Sequence, residues 1–333
     1  MFSRFTLSFA LIIFLSLSVL AQSYWEGPVE YPELSKRIID LRGQDQKLRG
    51  KFNALLINGK RGTKKFEAVS EELMAADRRN TAMMRRLIED IGWPTYAKVG
   101  SLAGNTSWLM VQHADRWPLF QEACLPLLKA AVDEGQAAPA DYANLFDRIR
   151  VARGEKQRYG TQIGTDDVTG RRFFYPIEDE HLVVERRAGI DYLASMLEIA
   201  KKNGFTYTVP PEQEAGMRAE AIEARYQKNI SVARAAMARG SYKEAADAFV
   251  TASYAFGWVT TEDFVNAARA LSRSKHKKAG LGTYYLSKAV MRGYEGMTQL
   301  DEDPDFAYLK TLPDGGWPEL MATVEGYVSM IEK

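Results

Sequence analysis

Leu102-Ala103-Gly104-Asn105-Thr106-Ser107-Trp108-Leu109-Met110-Val111-Gln112-His113 is the stretch on which the fold turns. Its run Trp108 to Val111 is apolar on every side of a helical turn. A helix apolar all round is a buried helix, so this one is expected at the centre of an α-helical core. Upstream, Glu33 to Leu56 and Phe66 to Ile91 carry apolar residues at three- and four-residue spacing (Leu34, Ile38, Leu41; Leu73, Met74, Met83, Met84, Leu87, Ile88). Both are predicted helices, separated by a Gly/Lys-rich turn from Asn58 to Lys65. Gly92-Trp93-Pro94-Thr95 ends the second, because proline pushes the residue before it out of helical geometry. Downstream, Pro118 to Asp133 and Pro139 to Arg153 are two more predicted helices, with Gly135 and Pro139 as punctuation.

The pattern then changes. Tyr159 to Ile163 and Arg171 to Tyr175 are β-prone runs around a polar turn containing Gly164, Asp166, Asp167 and Gly170. They predict a β-hairpin near 159–176. A helix is expected from Glu180 to Lys202, stopped at Asn203-Gly204, and Thr206 to Pro211 reads as a linker.

Helical patterning resumes and runs to the end. Ala238-Arg239-Gly240-Ser241-Tyr242-Lys243-Glu244-Ala245-Ala246-Asp247-Ala248-Phe249 resembles the heart of a tetratricopeptide repeat, with small residues where two helices pack closely. Further helices are expected from Asp263 to Arg273 and from Gly280 to Met291. Phe249 and Tyr285 hold similar places 36 residues apart, against about 34 for the standard repeat. So few repeats cannot bury a core alone. They are expected to dock on the first domain or on a long helix from Glu212 to Arg239. Asp301, Asp303 and Asp305 alternate like a calcium loop, but Pro304 and the lack of the loop glycine and closing glutamate favour a turn and helix cap.

The N-terminal end and the composition set the class. Met1 to Ala21 reads as a signal peptide: Arg4, an apolar run from Phe5 to Leu20, then small residues at Val19 and Ala21,. An uncleaved anchor is the alternative. Export, to the periplasm, is the expectation, with no stable membrane insertion after cleavage. Without Arg4 the chain has 43 Lys+Arg against 43 Asp+Glu. That balance gives no global reason to bind nucleic acid. The basic runs Lys60-Arg61…Lys64-Lys65 and Arg273…Lys275-His276-Lys277-Lys278 read as solvated loops. A single cysteine, Cys124, excludes an intramolecular disulfide and sits in an apolar setting, as a small buried hydrophobe does. His181 and His276 read as surface residues.

Within 92–162 stand the words GWPT (92–95), KVG (98–100), QHAD (112–115), LPLL (125–128), DR (147–148) and QRYGTQ (157–162). Together they resemble a bacterial domain-of-unknown-function family. Weaker agreement at Asp45-Gln46, Asp77…Asn80, Pro176, Asp179 and Arg186-Arg187 extends the resemblance over roughly residues 40–200. Relatives tend to carry a longer Gly-Leu-Pro segment where this chain has Gly189-Ile190-Asp191-Tyr192, which puts the helix start there in doubt. The resemblance implies a domain boundary and a place to look for a site; it implies no reaction.

The residues then speak for themselves. His113 follows Leu109 by one turn, on a stripe with Thr106 and Leu102 that faces the interior. As a general acid/base it would need a carboxylate such as Asp115 or Asp77 to orient it. Asp115 lies too close in sequence to be a helical partner of His113 and could instead cap the chain near Pro118. Gln157 and Tyr159 would place a substrate, and strand alternation would put them with Thr161 on one face and Gln162 on the other. Arg148 could hold an anion, and Gln112, Asp77 and Asn80 complete the candidate binding set. A buried polar network that fixes the packing of hairpin and helices is the competing reading. No zinc-ligand spacing, nucleophile elbow or phosphate-binding loop is present, so neither a metal nor a cofactor is expected.

The sequence therefore predicts a mainly α protein. A helical domain over 22–205 carries one β-hairpin, and a short tetratricopeptide-like α-α repeat domain follows over 206–333. Two functions compete. One is an exported binding protein holding a protein or peptide partner through the repeat segment; the other is a cell-envelope hydrolase or other acid/base enzyme using His113 and Asp115.

Overall fold

A computed structural model describes residues 27–60, 63–165, 171–253, 255, 257–312 and 316–331. The leader, Arg61 of the basic turn, and the Asp166, Asp167 and Gly170 of the hairpin turn lie outside the described residues. The fold is mainly helical, with one two-stranded antiparallel hairpin. The chain forms two compact units, which divide between Phe146 and Asp147.

The first unit contains α1 (Pro32–Ile57), α2 (Lys64–Ile91), α3 (Tyr96–Val99), α4 (Ser101–Gln112), α5 (Pro118–Asp133) and the start of α6 (Pro139–Ala152). Thr63 caps α2 by accepting from the Phe66 N–H at 3.2 Å, which satisfies one of the donors a helix start leaves unpaired. Gly92 ends α2 at φ 70°, a conformation that favours glycine,. The short α3 fills the gap that Pro94 opens. The long α1 and α2 pack together, and both pack on α4. At their far ends Leu48, Phe52, Phe66 and Leu73 form an apolar cluster. Trp108, Leu109, Met110 and Val111 of α4 are all buried, as the all-round apolar pattern requires. Leu102 departs from expectation: it is half exposed, because the first turn of α4 leaves the core on that side. Cys124 is buried, and burial pushes its thiol up to about 12.

The second unit carries the hairpin, β1 (Ile163–Thr165) with β2 (Arg172–Phe174), in the register Ile163↔Phe174 and Thr165↔Arg172. The strands are shorter than the sequence predicts, since residues 157–162 form a loop. The helix expected over 180–202 is broken. A 3-10 turn over Glu180–Leu182 leads into α7 (Val183–Ala188), and α8 (Met196–Lys202) follows separately. Between them Asp191 takes the left-handed conformation at φ 54°, which no continuous helix tolerates,. His181 is half-buried.

Four helices follow: α9 (Glu212–Ala238), α10 (Tyr242–Ala252), α11 (Thr261–Arg273) and α12 (Leu281–Met291). Each packs on the next. Ala245, Ala246 and Phe249 are buried on α10, and the Tyr285 hydroxyl lies 2.6 Å from Ser253 Oγ. The array ends in α13 (Ala307–Lys310) and α14 (Trp317–Ile331). Asp303 caps the turn before α13 by accepting from the Asp305 N–H at 2.8 Å, as expected for a turn and cap.

The array does not stand alone within its unit. Lys288 of α12 is buried and donates to the carbonyls of Val151 at 2.7 Å and Ala152 at 2.9 Å, closing the last turn of α6. Gly154 lies so close to Phe264 that a Cβ would stand 2.8 Å from the ring. His276, expected at the surface, is buried: its Nε2 lies 3.1 Å from Asp247 Oδ1, and its Nδ1 accepts from the Lys278 N–H.

Candidate functional site

The polar centre of the first unit is assembled from three helices. Asp45 and Arg49 stand one turn apart on α1, and Arg49 Nε donates to Asp45 Oδ1 at 2.8 Å. Arg49 Nη2 donates to Asp77 of α2. His113, the residue that caps α4, places Nδ1 3.2 Å from the same Asp45 oxygen. Gln46 donates to the other Asp45 oxygen at 2.8 Å. Asp45 and Arg49 are fully buried. The side chains of His113 and Asp77 are 9% and 18% exposed, so Asp77 is the more accessible of the two.

The two carboxylates are displaced in opposite directions. Burial raises the pKa of Asp45, but the hydrogen bond and charge of His113, followed by Arg49, outweigh it and hold Asp45 down at about 2. Burial pushes Asp77 up to about 7. Arg49 opposes that shift, while the nearby negative charges of Asp45 and Asp115 reinforce it. Arg49 favours ionisation of both carboxylates, and the additional hydrogen bond and charge of His113 decide that Asp45 is the ion and Asp77 the one left to bind a proton,.

The remaining candidates in this unit sit around that centre. Asn80 turns its amide to Met110 Sδ at 3.4 Å. Asp115 accepts from Gln121 Nε2 at 3.4 Å, and Gln121 also donates to the main-chain carbonyls of Val111 and Gln112. Asp115 therefore fixes the corner between α4 and α5; α5 starts without a side-chain cap. The carboxylate on His113 Nδ1 is Asp45.

In the second unit the loop 157–162 is built around Asp147. This carboxylate is fully buried and accepts from the N–H groups of Arg158 (2.7 Å), Tyr159 (3.0 Å) and Thr161 (3.0 Å), and from the Thr161 hydroxyl (3.0 Å). Burial raises its pKa, and those four donors oppose the rise. Gln157 donates to the carbonyls of Gln162 and Tyr175 and accepts from the Gln162 N–H. Arg187 donates to the Tyr159 carbonyl at 2.9 Å and stacks over Tyr192. Arg148 reaches Gln162 Oε1 at 3.5 Å. Gly160 takes φ 64°, and a Cβ there would stand 2.5 Å from Met196 Cε. The alternation expected of a strand is therefore absent. The amide of Gln157 holds main chain in place, and the hydroxyl of Thr161 donates to Asp147.

Residues 32–202, just over half of the 333-residue chain, match the family described as "Family of unknown function (DUF6624)". The chain belongs to the DUF6624 family. No curated protein and no solved structure matches the chain. The DUF6624 stretch reaches across both compact units, so it contains both the His113 centre and the Asp147 loop. Among the described residues no group of three or more His, Cys, Asp or Glu could hold a metal ion. No described helix is long and apolar enough to cross a membrane.

Two contributors escaped the sequence reading. Arg49 looks like any exposed member of an i,i+4 pair until α2 is folded against it. Asp147 stood in the DR word, but the arginine beside it carries the more familiar chemistry.

Proposed function

We propose that the protein is an acid/base catalyst working in the cell envelope, with Asp45, His113 and Asp77 as its working groups. The observation that carries this reading is the arrangement of Asp45, Arg49, Asp77 and His113 in one hydrogen-bonded centre, which displaces the two carboxylates in opposite directions. Carboxyl groups pushed apart in this way are what general acid and general base catalysis requires near neutral pH. Asp45, held ionised, orients the imidazole through Nδ1, so proton exchange falls to Nε2 of His113. Asp77 retains a proton up to about pH 7 and would deliver it to a leaving group. The export half of the proposal rests on the sequence of Met1 to Ala21.

The test is the carboxyl ¹³C titration of Asp77, assigned by its absence in Asp77→Asn, run beside a panel of chromogenic ester, amide and phosphoester substrates. A midpoint near 7 and turnover lost in Asp77→Asn and His113→Ala support the reading. A midpoint in the ordinary carboxylate range removes its basis.

A second reading is a tetratricopeptide-like interaction segment that holds a peptide. It is favoured by the helix array α9 to α12 and by a hollow of about 280 Å³ at its end, lined by Arg269, Tyr294, Gln299, Glu302 and Asp303. Arg269 is already paired with Asp303 at 3.3 Å, so the hollow has no surplus positive charge to attract an acidic peptide. Photo-crosslinking from position 299 in whole cells tests it: peptide adducts support it, and adducts no more frequent than from a control position on α14 count against it.

A further inference from the structure

Within α4 almost every polar group has a partner, with two exceptions one turn apart. Trp108 Nε1 and Gln112 Oε1 are buried without a hydrogen bond, in residues only 8% and 6% exposed. Residues four apart lie on one face of a helix, so this donor and this acceptor are neighbours that could meet each other and do not. Each unmet group has lost its water without gaining a partner, and native proteins leave few such groups. Gln112 is also the residue next to His113. Ala103, Leu109, Met110 and Val111 of the same helix are buried as well.

We propose that Trp108 and Gln112 are the binding edge for a neutral amide group, the indole N–H donating to its carbonyl and the Gln112 oxygen accepting from its N–H. The inference rests on the reading of the His113 centre as a working site and names its substrate class as carboxamides. The pairing follows from the chemistry of the two groups. An anion would meet the Gln112 oxygen, a cation would meet the indole N–H, and an ester or ether offers no donor. An amide satisfies both at once.

The test uses the full chain with ¹⁵N-labelled tryptophan, the Trp108 indole signal being assigned by its loss in Trp108→Phe. Acetamide and N-methylacetamide are titrated against N,N-dimethylacetamide, which keeps the acceptor and lacks the donor. The first two are expected to move the Trp108 signal with at least threefold higher affinity than the third. Gln112→Met is expected to erase that preference and, because it removes an unmet buried acceptor, to raise the melting temperature. A Trp108 signal indifferent to acetamide, or one that answers all three amides equally in wild type, overturns the proposal. So does a melting temperature lowered by Gln112→Met, which would mean that the oxygen already has a partner, such as a buried water. The titration needs no turnover and leaves Asp77 and His113 in place. It can therefore fail while the acid/base reading stands, and an ordinary Asp77 midpoint can sink that reading while the amide edge survives.

Discussion

His113 Nδ1 lies 3.2 Å from Asp45 Oδ1, across 68 residues of sequence. The contact joins the end of α4 to the middle of α1, and it leaves a buried carboxylate with a hydrogen-bonding imidazole on one side and a guanidinium on the other. Removing the imidazole takes away the largest of the influences that hold Asp45 ionised. His113→Ala is expected to cost about 1–3 kcal/mol of stability, the penalty for a buried polar group that loses a partner. Urea denaturation of His113→Ala, Asp45→Asn and the double variant measures it. The coupling should fall at about 0.5–3 kcal/mol; additive losses would show that the two side chains do not act as a pair.

Asp77 gives the first unit a particular pH dependence. Its folded pKa is raised to about 7, above an ordinary Asp value of about 3.9. The folded state therefore binds the proton more tightly than the unfolded chain. This contribution to stability is full at low pH and is lost as pH rises from about 4 towards 7. Asp77→Asn cannot titrate, so its melting temperature relative to wild type should climb across that interval and level off above it. A constant difference between the two proteins from pH 4 to 8 would contradict the raised pKa.

Much of this architecture is legible in the sequence because helix periodicity and helix ends are local properties. The buried run Trp108 to Val111, the breaks at Gly92 and at Asn203-Gly204, and the small-residue contact at Ala245 and Ala246 follow from nearest neighbours. What escapes is set by the chain at a distance. Residues 157–162 have strand composition, yet a carboxylate ten positions upstream, Asp147, gathers their N–H groups and holds them as a loop. His276 sits in a basic run that reads as solvent-exposed, but Asp247 and the Lys278 N–H draw it inside. Asp45, the partner of His113, lies a helix and a half away, and spacing cannot single it out from other acidic residues.

Asp147→Asn tests how far that loop depends on one side chain. The amide keeps one acceptor oxygen and turns an NH2 group towards main-chain donors, so at least one of them is left unmet. A loss of about 2–4 kcal/mol is expected, as for other broken buried networks. Hydrogen exchange gives the local readout: the Tyr159 and Thr161 amides should lose protection, while those in α4 keep theirs. Equal loss in both places would mean global destabilisation and no special role for Asp147 in the loop.

Lys288 ties α12 to the end of α6 through the Val151 and Ala152 carbonyls, and it does so from a fully buried position. Burial, with the nearby Arg292 charge, brings its pKa well below the ordinary lysine value. The unfolded chain therefore takes up the proton at a higher pH than the folded one does. Stability is full above the unfolded lysine pKa of about 10.4 and declines as pH falls below it. Lys288→Met keeps most of the stem's packing and removes the buried amino group, leaving two helix-end carbonyls to find other donors. Lys288→Ala also opens a cavity and should cost about 2 kcal/mol more, within the range for truncating a long buried side chain. Thermal melts of the three proteins from pH 7.5 to 10 separate these effects. Wild type should gain on Lys288→Met as the pH rises, while the gap between the two variants stays fixed because neither titrates at this position. A wild type that loses ground to Lys288→Met over that interval would mean that the two carbonyls hold the charged ammonium more firmly than burial expels it.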